Sequence, residues 1–171
     1  MALTLGVFGG RAAFVDALRE TLLQACAIDG SGARELFCLD ASFEAWPLSD
    51  SAVLDALSAW ARQPGRRLHL LALQYEELRR AHPRFVRWRT TFDHCVEARS
   101  YEPEAMAGSS QLAAFLVAAG GSQQRSVRLL DAQTWRGVAS ELPTDTIRSR
   151  EIFDAVAQRS TLSFPSTTFG L

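Results

Sequence analysis

The chain has 171 residues, of which 47% are hydrophobic and 22% are charged, and its formal net charge is -1. A chain of this length suits one globular domain, and the near-zero charge argues against bulk attraction to nucleic acid or to an anionic membrane surface. All 18 basic residues are arginine, which excludes Schiff-base catalysis and the phosphate-binding lysine of a P-loop.

The cysteines and the apolar runs indicate the cellular compartment in which we expect the protein. Cys26, Cys38 and Cys95 are odd in number, lie far apart and form no CxxC pair, which favours a reducing compartment over a disulfide framework. No apolar run approaches the roughly 18–20 residues of a membrane span, and the N-terminus lacks the basic start of a signal peptide. We therefore expect a cytoplasmic protein with no membrane partner.

The N-terminal segment combines a short apolar strand pattern with a glycine pair. It covers residues 3–10, and a helical pattern follows from residue 11 to residue 27. The glycine spacing matches neither GxGxxG nor GxxxxGK[ST]. It therefore predicts a turn before a helix rather than a phosphate-binding loop.

Two further strand–helix pairs follow. Residues 35–41 and 66–73 are nearly continuous apolar runs, typical of strands buried on both faces. Ser49 or Asp50 caps the helix after the first run, and residues 75–92 form the helix after the second, with a kink or restart expected at Pro83. Repeated strand–helix units favour an α/β fold with a mixed, largely parallel sheet flanked by helices.

The C-terminal half predicts a strand over residues 94–101, a hairpin of strands 112–119 and 126–130, and a helix over 149–159. Residues 133–147 have no clear period.

The whole chain is expected to form one domain, residues 1–171, with its core at about 11–160. Residues 161–171 carry no charge and include several apolar side chains, unlike a typical disordered tail. We expect this tail to be extended, and either frayed, docked on its own domain, or docked on a second copy in a homo-oligomer.

Polar side chains follow two predicted strands, at the carboxyl ends where ligands usually bind in α/β sheets. Asp40 ends the first apolar run, and Gln74 and Tyr75 follow the second. Gln111 stands at the entrance of the 112–119 strand. These four residues are the candidate ligand cleft.

Arg80, Arg84 and Arg87 are the candidate anion-binding residues. Their i, i+4, i+7 spacing puts them on one helix face, where guanidinium groups could hold phosphates or another polyanion. The alternative is a solvated face on which Glu76 pairs with Arg80.

The three histidines predict no metal or catalytic site. His69, His82 and His94 share no helix face at i, i+4 and lie near no cysteine at metal-site spacing. No GxSxG elbow is present for a catalytic triad. We expect ordinary core or surface histidines, no cofactor and no metal.

Several phrases resemble a phospholipase D-type half-domain, in particular uncharacterised bacterial relatives that lack its catalytic motif. They are residues 35–40 (ELFCLD), 66–73 (RRLHLLAL), 82–85 (HPRF), 114–117 (AFLV), 126–129 (SVRL) and 150–160 (REIFDAVAQRS). The resemblance implies a phospholipase D-like fold. Active members carry HxK on the strand that corresponds to residues 112–119, where this chain has only alanine, leucine, phenylalanine and valine.

Three functional hypotheses stay open. The first is a non-catalytic phospholipase D-like domain that binds a ligand or anion. The second is a small enzyme with an unrelated site near Asp40, Gln74 and Tyr75. The third is an assembly protein whose tail packs on a second copy.

The absence of lysine and of HxK predicts that the purified protein does not hydrolyse phosphodiesters. An assay with bis(p-nitrophenyl) phosphate should give no turnover above the buffer background. Turnover that disappears on His69→Ala, His82→Ala or His94→Ala would contradict this prediction.

Overall fold

The computed structural model describes residues 5–109 and 112–165, in which eight strands and five α-helices occur. The strands are β1 (Gly6–Phe8), β2 (Glu35–Leu39), β3 (Arg67–Ala72), β4 (Val96–Tyr101), β5 (Ala114–Ala119), β6 (Arg125–Asp131), β7 (Arg136–Ser140) and β8 (Ser160–Leu162). The helices are α1 (Arg11–Ala25), α2 (Ser51–Ala61), α3 (Glu76–Ala81), α4 (Pro83–Thr91) and α5 (Pro143–Gln158). Short 3-10 helices cover Asp93–Cys95 and Pro103–Ser109.

All eight strands belong to one mixed sheet, in the order β1-β7-β6-β5-β2-β3-β4-β8. Only β2–β3 and β3–β4 pair in parallel, whereas the other five pairings between described strands are antiparallel. The α/β class is confirmed, but the prediction of a largely parallel sheet is wrong.

The error has a physical cause. A crossover helix carries the chain back to the end of the sheet at which the preceding strand began, so the strands before and after the helix run in the same direction. The helix α2 and the α3–α4 pair therefore make β2, β3 and β4 parallel. From β5 to β7 the connections are tight turns, which reverse the chain and produce the antiparallel β5–β6 and β6–β7 hairpins. The N-terminal strand also joins this antiparallel half, because β1 pairs with β7 at the sheet edge.

Side chains of the central strands alternate between two apolar layers. In β2, Leu36 and Cys38 belong to the large cluster under α1 to α4, whereas Phe37 and Leu39 belong to a smaller cluster under α5. The sheet is therefore a middle layer between four helices on one face and one helix on the other. Continuous apolar runs are typical of strands buried in this way.

The predicted 75–92 helix is interrupted at the expected place. Proline fixes its own φ and disfavours the α region for the preceding residue. His82 accordingly takes φ -130° and ψ 61°, so α3 ends at Ala81 and α4 begins at Pro83. The residues without a clear period, 133–147, contain β7 and the first turn of α5.

The described part of the tail packs on its own domain. Strand β8 pairs antiparallel with β4, and the Ser163 N–H donates to the Ala98 carbonyl at 3.0 Å. The chain then crosses to the α1–α4 face, where the Phe164 ring stacks on Tyr75 with centroids 4.9 Å apart. Phe164 is 2% exposed and has φ 49°, so burial holds a non-glycine residue in the left-handed region. Two further apolar residues of the tail, Phe169 and Leu171, lie outside the described residues, so the expectation that they dock stays a prediction.

Two expectations about the environment can be compared with the structure. Over residues 5–109 and 112–165, every helix is too short or too polar to cross a bilayer. Cys26, Cys38 and Cys95 are buried as free thiols.

Phe164 is predicted to stabilise the fold strongly. Phe164→Ala should lower the free energy of unfolding by about 3–5 kcal/mol, because it deletes a buried ring and its stacking partner relaxes only in part. The control is Leu162→Ala, since Leu162 is 72% exposed and its truncation should change stability by less than about 0.5 kcal/mol. Urea unfolding measures both variants. Equal midpoints for the two would show that the Phe164 contact contributes little.

Candidate functional site

Asp40 lies where predicted, immediately after β2, but its carboxylate caps a turn. Its Oδ2 accepts hydrogen bonds from the backbone N–H groups of Ser42 at 3.0 Å and Phe43 at 2.7 Å. Burial raises the pKa of Asp40, with a smaller contribution from the Glu77 carboxylate, and the two backbone hydrogen bonds partly oppose the shift. The side chain therefore orders the chain after β2.

Gln74 and Tyr75 reach the same edge of the sheet and also hold backbone groups. Gln74 Oε1 accepts from the N–H groups of Glu76 at 2.8 Å and Glu77 at 3.4 Å, at the start of α3. The Tyr75 hydroxyl donates to the Arg99 carbonyl at 2.8 Å, and burial raises the pKa of Tyr75. The structure thus brings Asp40, Gln74 and Tyr75 to one end of the sheet, where each side chain binds a backbone group. Gln111 lies outside the described residues.

The three candidate anion-binding arginines do not form one stripe. The break at His82 separates Arg80 on α3 from Arg84 and Arg87 on α4. Arg84 folds towards the start of α2, where it donates to the Ser49 carbonyl and to Ser51 Oγ, both at 3.2 Å. Arg87 is exposed.

Arg80 lines a groove of about 190 Å³ at the same edge of the sheet, together with Glu44, Glu77 and Ala81. Two carboxylates in this groove offset the arginine charge. The groove therefore has mixed charge, not the basic character that the spacing of the three arginines indicated.

A second cavity of about 190 Å³ lies at the opposite end of the sheet, and the sequence analysis missed it. It opens between the C-terminal end of α1, the loop that precedes β2, and the turn between β5 and β6. Its lining is mostly hydroxyls, amides and small apolar groups: Thr21, Gln24, Ala25, Ser31, Ala33, Ala118, Ser122, Gln123 and Arg125. We call this space the sheet-end cavity.

Arg125 is the charged residue in the wall of the sheet-end cavity. It is 2% exposed, and its Nη1 lies 3.9 Å from Glu141 Oε1. Burial lowers the pKa of Arg125, while the carboxylates of Glu141 and Glu20 act in the opposite direction. Thr21 is 1% exposed, and its hydroxyl has no hydrogen-bond partner among the described residues.

The sequence pattern places Arg125 just before a predicted strand but does not indicate that it is buried. The predicted strand begins at Ser126, which leaves Arg125 in a polar turn with Gln123 and Gln124. In the structure β6 begins one residue earlier, so Arg125 becomes a buried sheet residue. Assigned strand ends differ by one or two residues, so the packing around Arg125, and not the position of the boundary, decides that the arginine is buried in the cavity wall.

Ser49 and His82 form a close side-chain contact that the sequence analysis did not predict. Ser49 Oγ lies 2.7 Å from His82 Nδ1, and His82 Nε2 lies 2.9 Å from the Glu44 carbonyl oxygen. These contacts join the loop after β2 to the junction between α3 and α4. Of the other histidines, His69 is stacked on Phe37 and lies with Nε2 2.8 Å from Glu35 Oε2.

Metal ligation finds no support in the part of the chain that the structure describes, because no three His, Cys, Asp or Glu side chains there converge as metal ligands. No protein-family model matches the chain, and no curated protein matches it. The described residues form an α/β fold with an eight-stranded mixed sheet, and kinship with phospholipase D stays a prediction.

The stability of Asp40→Asn, relative to that of the native chain, is predicted to be higher at neutral than at acidic pH. The pKa of Asp40 is raised in the folded state, so its ionisation destabilises the fold above that pKa and costs nothing below the unfolded value of about 3.9. Asparagine keeps an oxygen for the turn but cannot ionise. The stability of Asp40→Asn relative to the native chain should thus rise as pH increases through this window and then level off.

Urea unfolding between pH 3.5 and pH 8 measures this difference. Asp40→Ala is the control, because it also cannot ionise but removes the acceptor from two N–H groups, so it should be less stable than Asp40→Asn by about 1–3 kcal/mol at every pH. A constant difference between Asp40→Asn and the native chain across the range would contradict the assignment.

Proposed function

We propose that the protein is a phospholipase D-like domain without that family's phosphodiester chemistry, and that it binds a small polar ligand in the sheet-end cavity. The observation that carries the proposal is the buried guanidinium of Arg125 in the wall of a cavity of about 190 Å³ that is otherwise lined by neutral groups. Concave sites with a few convergent polar groups are the usual form of small-molecule sites.

The charges around the cavity favour a ligand with one negative charge. A guanidinium pairs with a carboxylate or phosphate through two parallel hydrogen bonds, and its strength grows where water is excluded. Glu141 and Glu20 already offset part of the Arg125 charge. Arg125 carries one positive charge and can pair with one anionic group, whereas the two carboxylates would repel a polyphosphate or a nucleic-acid strand.

The neutral lining favours a ligand that also carries hydroxyl groups. Thr21, Ser31 and Ser122 contribute hydroxyls, and Gln24 and Gln123 contribute amides. The Thr21 hydroxyl is buried without a partner among the described residues, which is unfavourable until a ligand or water supplies one. The cavity has room for several waters or for a small organic molecule. We therefore assign it to a small hydroxy acid.

Kinship with phospholipase D rests on the sequence phrases given above. A mixed α/β sheet with helices on both faces is common to many functions, so the fold alone does not identify a family. The absence of lysine, and the lack of histidine on β5, support a domain without HxK chemistry.

The alternative enzyme site at Asp40, Gln74 and Tyr75 is less well supported, because each of these side chains binds backbone groups of its own domain. Assembly through the tail rests on residues 166–171 and stays a prediction.

A plug at the cavity mouth is predicted to abolish ligand binding without unfolding the protein. Ser122 is exposed on the β5–β6 turn, so Ser122→Trp should fill the opening and remove any rise in melting temperature on addition of D-glycerate or tartrate. Gln124→Trp is the matched control, because Gln124 is exposed on the same turn and is not part of the lining. Thr21→Val should weaken binding by about tenfold through loss of one hydrogen bond.

Further probes separate the alternatives. Glycerol and erythritol, which lack the anionic group, should not stabilise the protein at the same concentration. If the anion instead binds the helix arginines, a variant with Arg80, Arg84 and Arg87 all changed to Gln would lose the effect while Ser122→Trp kept it. Equal responses from Ser122→Trp and Gln124→Trp, or no response from the native chain, would overturn the proposal.

A further inference from the structure

The contact between Ser49 and His82 has the geometry of a nucleophile and its general base. Ser49 Oγ and His82 Nδ1 are 2.7 Å apart, within the distance that proton transfer requires. The two residues are 33 positions apart in the chain and meet only because the loop after β2 packs on the junction between α3 and α4.

The Glu44 carbonyl determines which ring nitrogen of His82 carries the hydrogen. A carbonyl oxygen only accepts, so the 2.9 Å contact requires that His82 Nε2 carries the hydrogen. In the neutral ring Nδ1 then holds a lone pair and accepts a hydrogen bond from the Ser49 hydroxyl; the Ala81 carbonyl oxygen competes for the same hydrogen from the longer distance of 3.2 Å. The carbonyl thus orients the imidazole as the carboxylate does in a catalytic triad.

The surroundings of Ser49 complete the site. Ser49 is half-buried, whereas His82 is 7% exposed, so the serine is the more accessible residue of the pair. The Ala81 carbonyl, 3.2 Å from Ser49 Oγ, and Glu44 both belong to residues that line the groove beside Arg80. Arg84 donates to the Ser49 carbonyl and so brings a positive charge to the nucleophile.

We propose that Ser49 is a nucleophile activated by His82, and that the site cleaves small, neutral carboxylic esters. The groove is small, and its two glutamates outnumber its one arginine, so an anionic substrate is disfavoured and a neutral one is accepted. The inference is independent of ligand binding in the sheet-end cavity, which lies at the other end of the sheet.

The reaction follows the usual two-step course. Ser49 Oγ forms a bond to the ester carbonyl carbon while its proton passes to His82 Nδ1, and the imidazolium is stabilised by its Nε2–H bond to the Glu44 carbonyl. The carbon–oxygen bond to the leaving alcohol then breaks, and the alcohol takes the proton from Nδ1. Water attacks the acyl-serine in the second step, giving its proton through Nδ1 back to Ser49 Oγ.

The first experiment treats the full chain with a fluorophosphonate probe and with p-nitrophenyl acetate. The modified peptide, identified by mass spectrometry, should contain Ser49. Ser49→Ala should reduce labelling and ester turnover by about 100-fold or more, the usual contribution of such a pair. Ser51→Ala is the matched control, since Ser51 also contacts Arg84 but not His82. Labelling at another residue, or turnover unchanged by Ser49→Ala, would overturn the proposal.

The second experiment distinguishes catalysis from a purely structural contact. Ser49→Cys keeps the side-chain size and places a thiol beside His82, while the three native cysteines are buried. Its alkylation by iodoacetamide should be about tenfold faster than that of Ser51→Cys, because the imidazole promotes the thiolate. His82→Gln in the Ser49→Cys background should remove the difference. Equal rates for the two thiols would assign the contact to loop anchoring alone.

Discussion

The pairing of β2 on both of its edges is the constraint on which the structure depends. This strand lies parallel to β3 on one side and antiparallel to β5 on the other. It is the boundary between a half of the sheet built by crossover helices and a half built by hairpins. Because its side chains are buried alternately on both faces, a shift of one residue in register would exchange the two apolar layers, so the pairing is strongly specified.

This boundary also determines why the two ends of the sheet differ. At one end the long loop after β2, which the Asp40 carboxylate orders, packs on the junction between α3 and α4 through Ser49 and His82. At the other end the β5–β6 turn stands over the C-terminal end of α1 and leaves the sheet-end cavity beside Arg125. The proposed ester site and the proposed hydroxy-acid site therefore occupy opposite ends of one domain.

Arginine takes roles in this protein that a mixture of lysine and arginine usually shares. Arg79 and Arg89 lie over the face of Phe164, with their guanidinium carbons 5.0 and 5.7 Å from the ring centre. Planar, weakly hydrated guanidinium groups stack on aromatic rings better than ammonium groups do. The same property lets Arg125 be buried opposite Glu141 and remain in the wall of a cavity.

Local patterns in the sequence determined most elements of the fold. The apolar runs of β2 and β3, the restart of the helix at Pro83 and the glycine turn before β6 each depend on residues close together in the chain, and each was predicted. Hydrophobic periodicity and proline stereochemistry act over a few residues, so they can be read without knowing the fold.

Tertiary structure alone decided the direction of most strand pairs, the edge position of β1 and the residues that form the two candidate sites. Asp40, Gln74 and Tyr75 were placed correctly along the chain, yet only the packed structure shows that their polar atoms bind backbone groups. Ser49 meets His82, and Arg125 joins Thr21 in the cavity wall, across long stretches of sequence. Such contacts depend on how layers of helices pack on a sheet, and no local pattern encodes that arrangement.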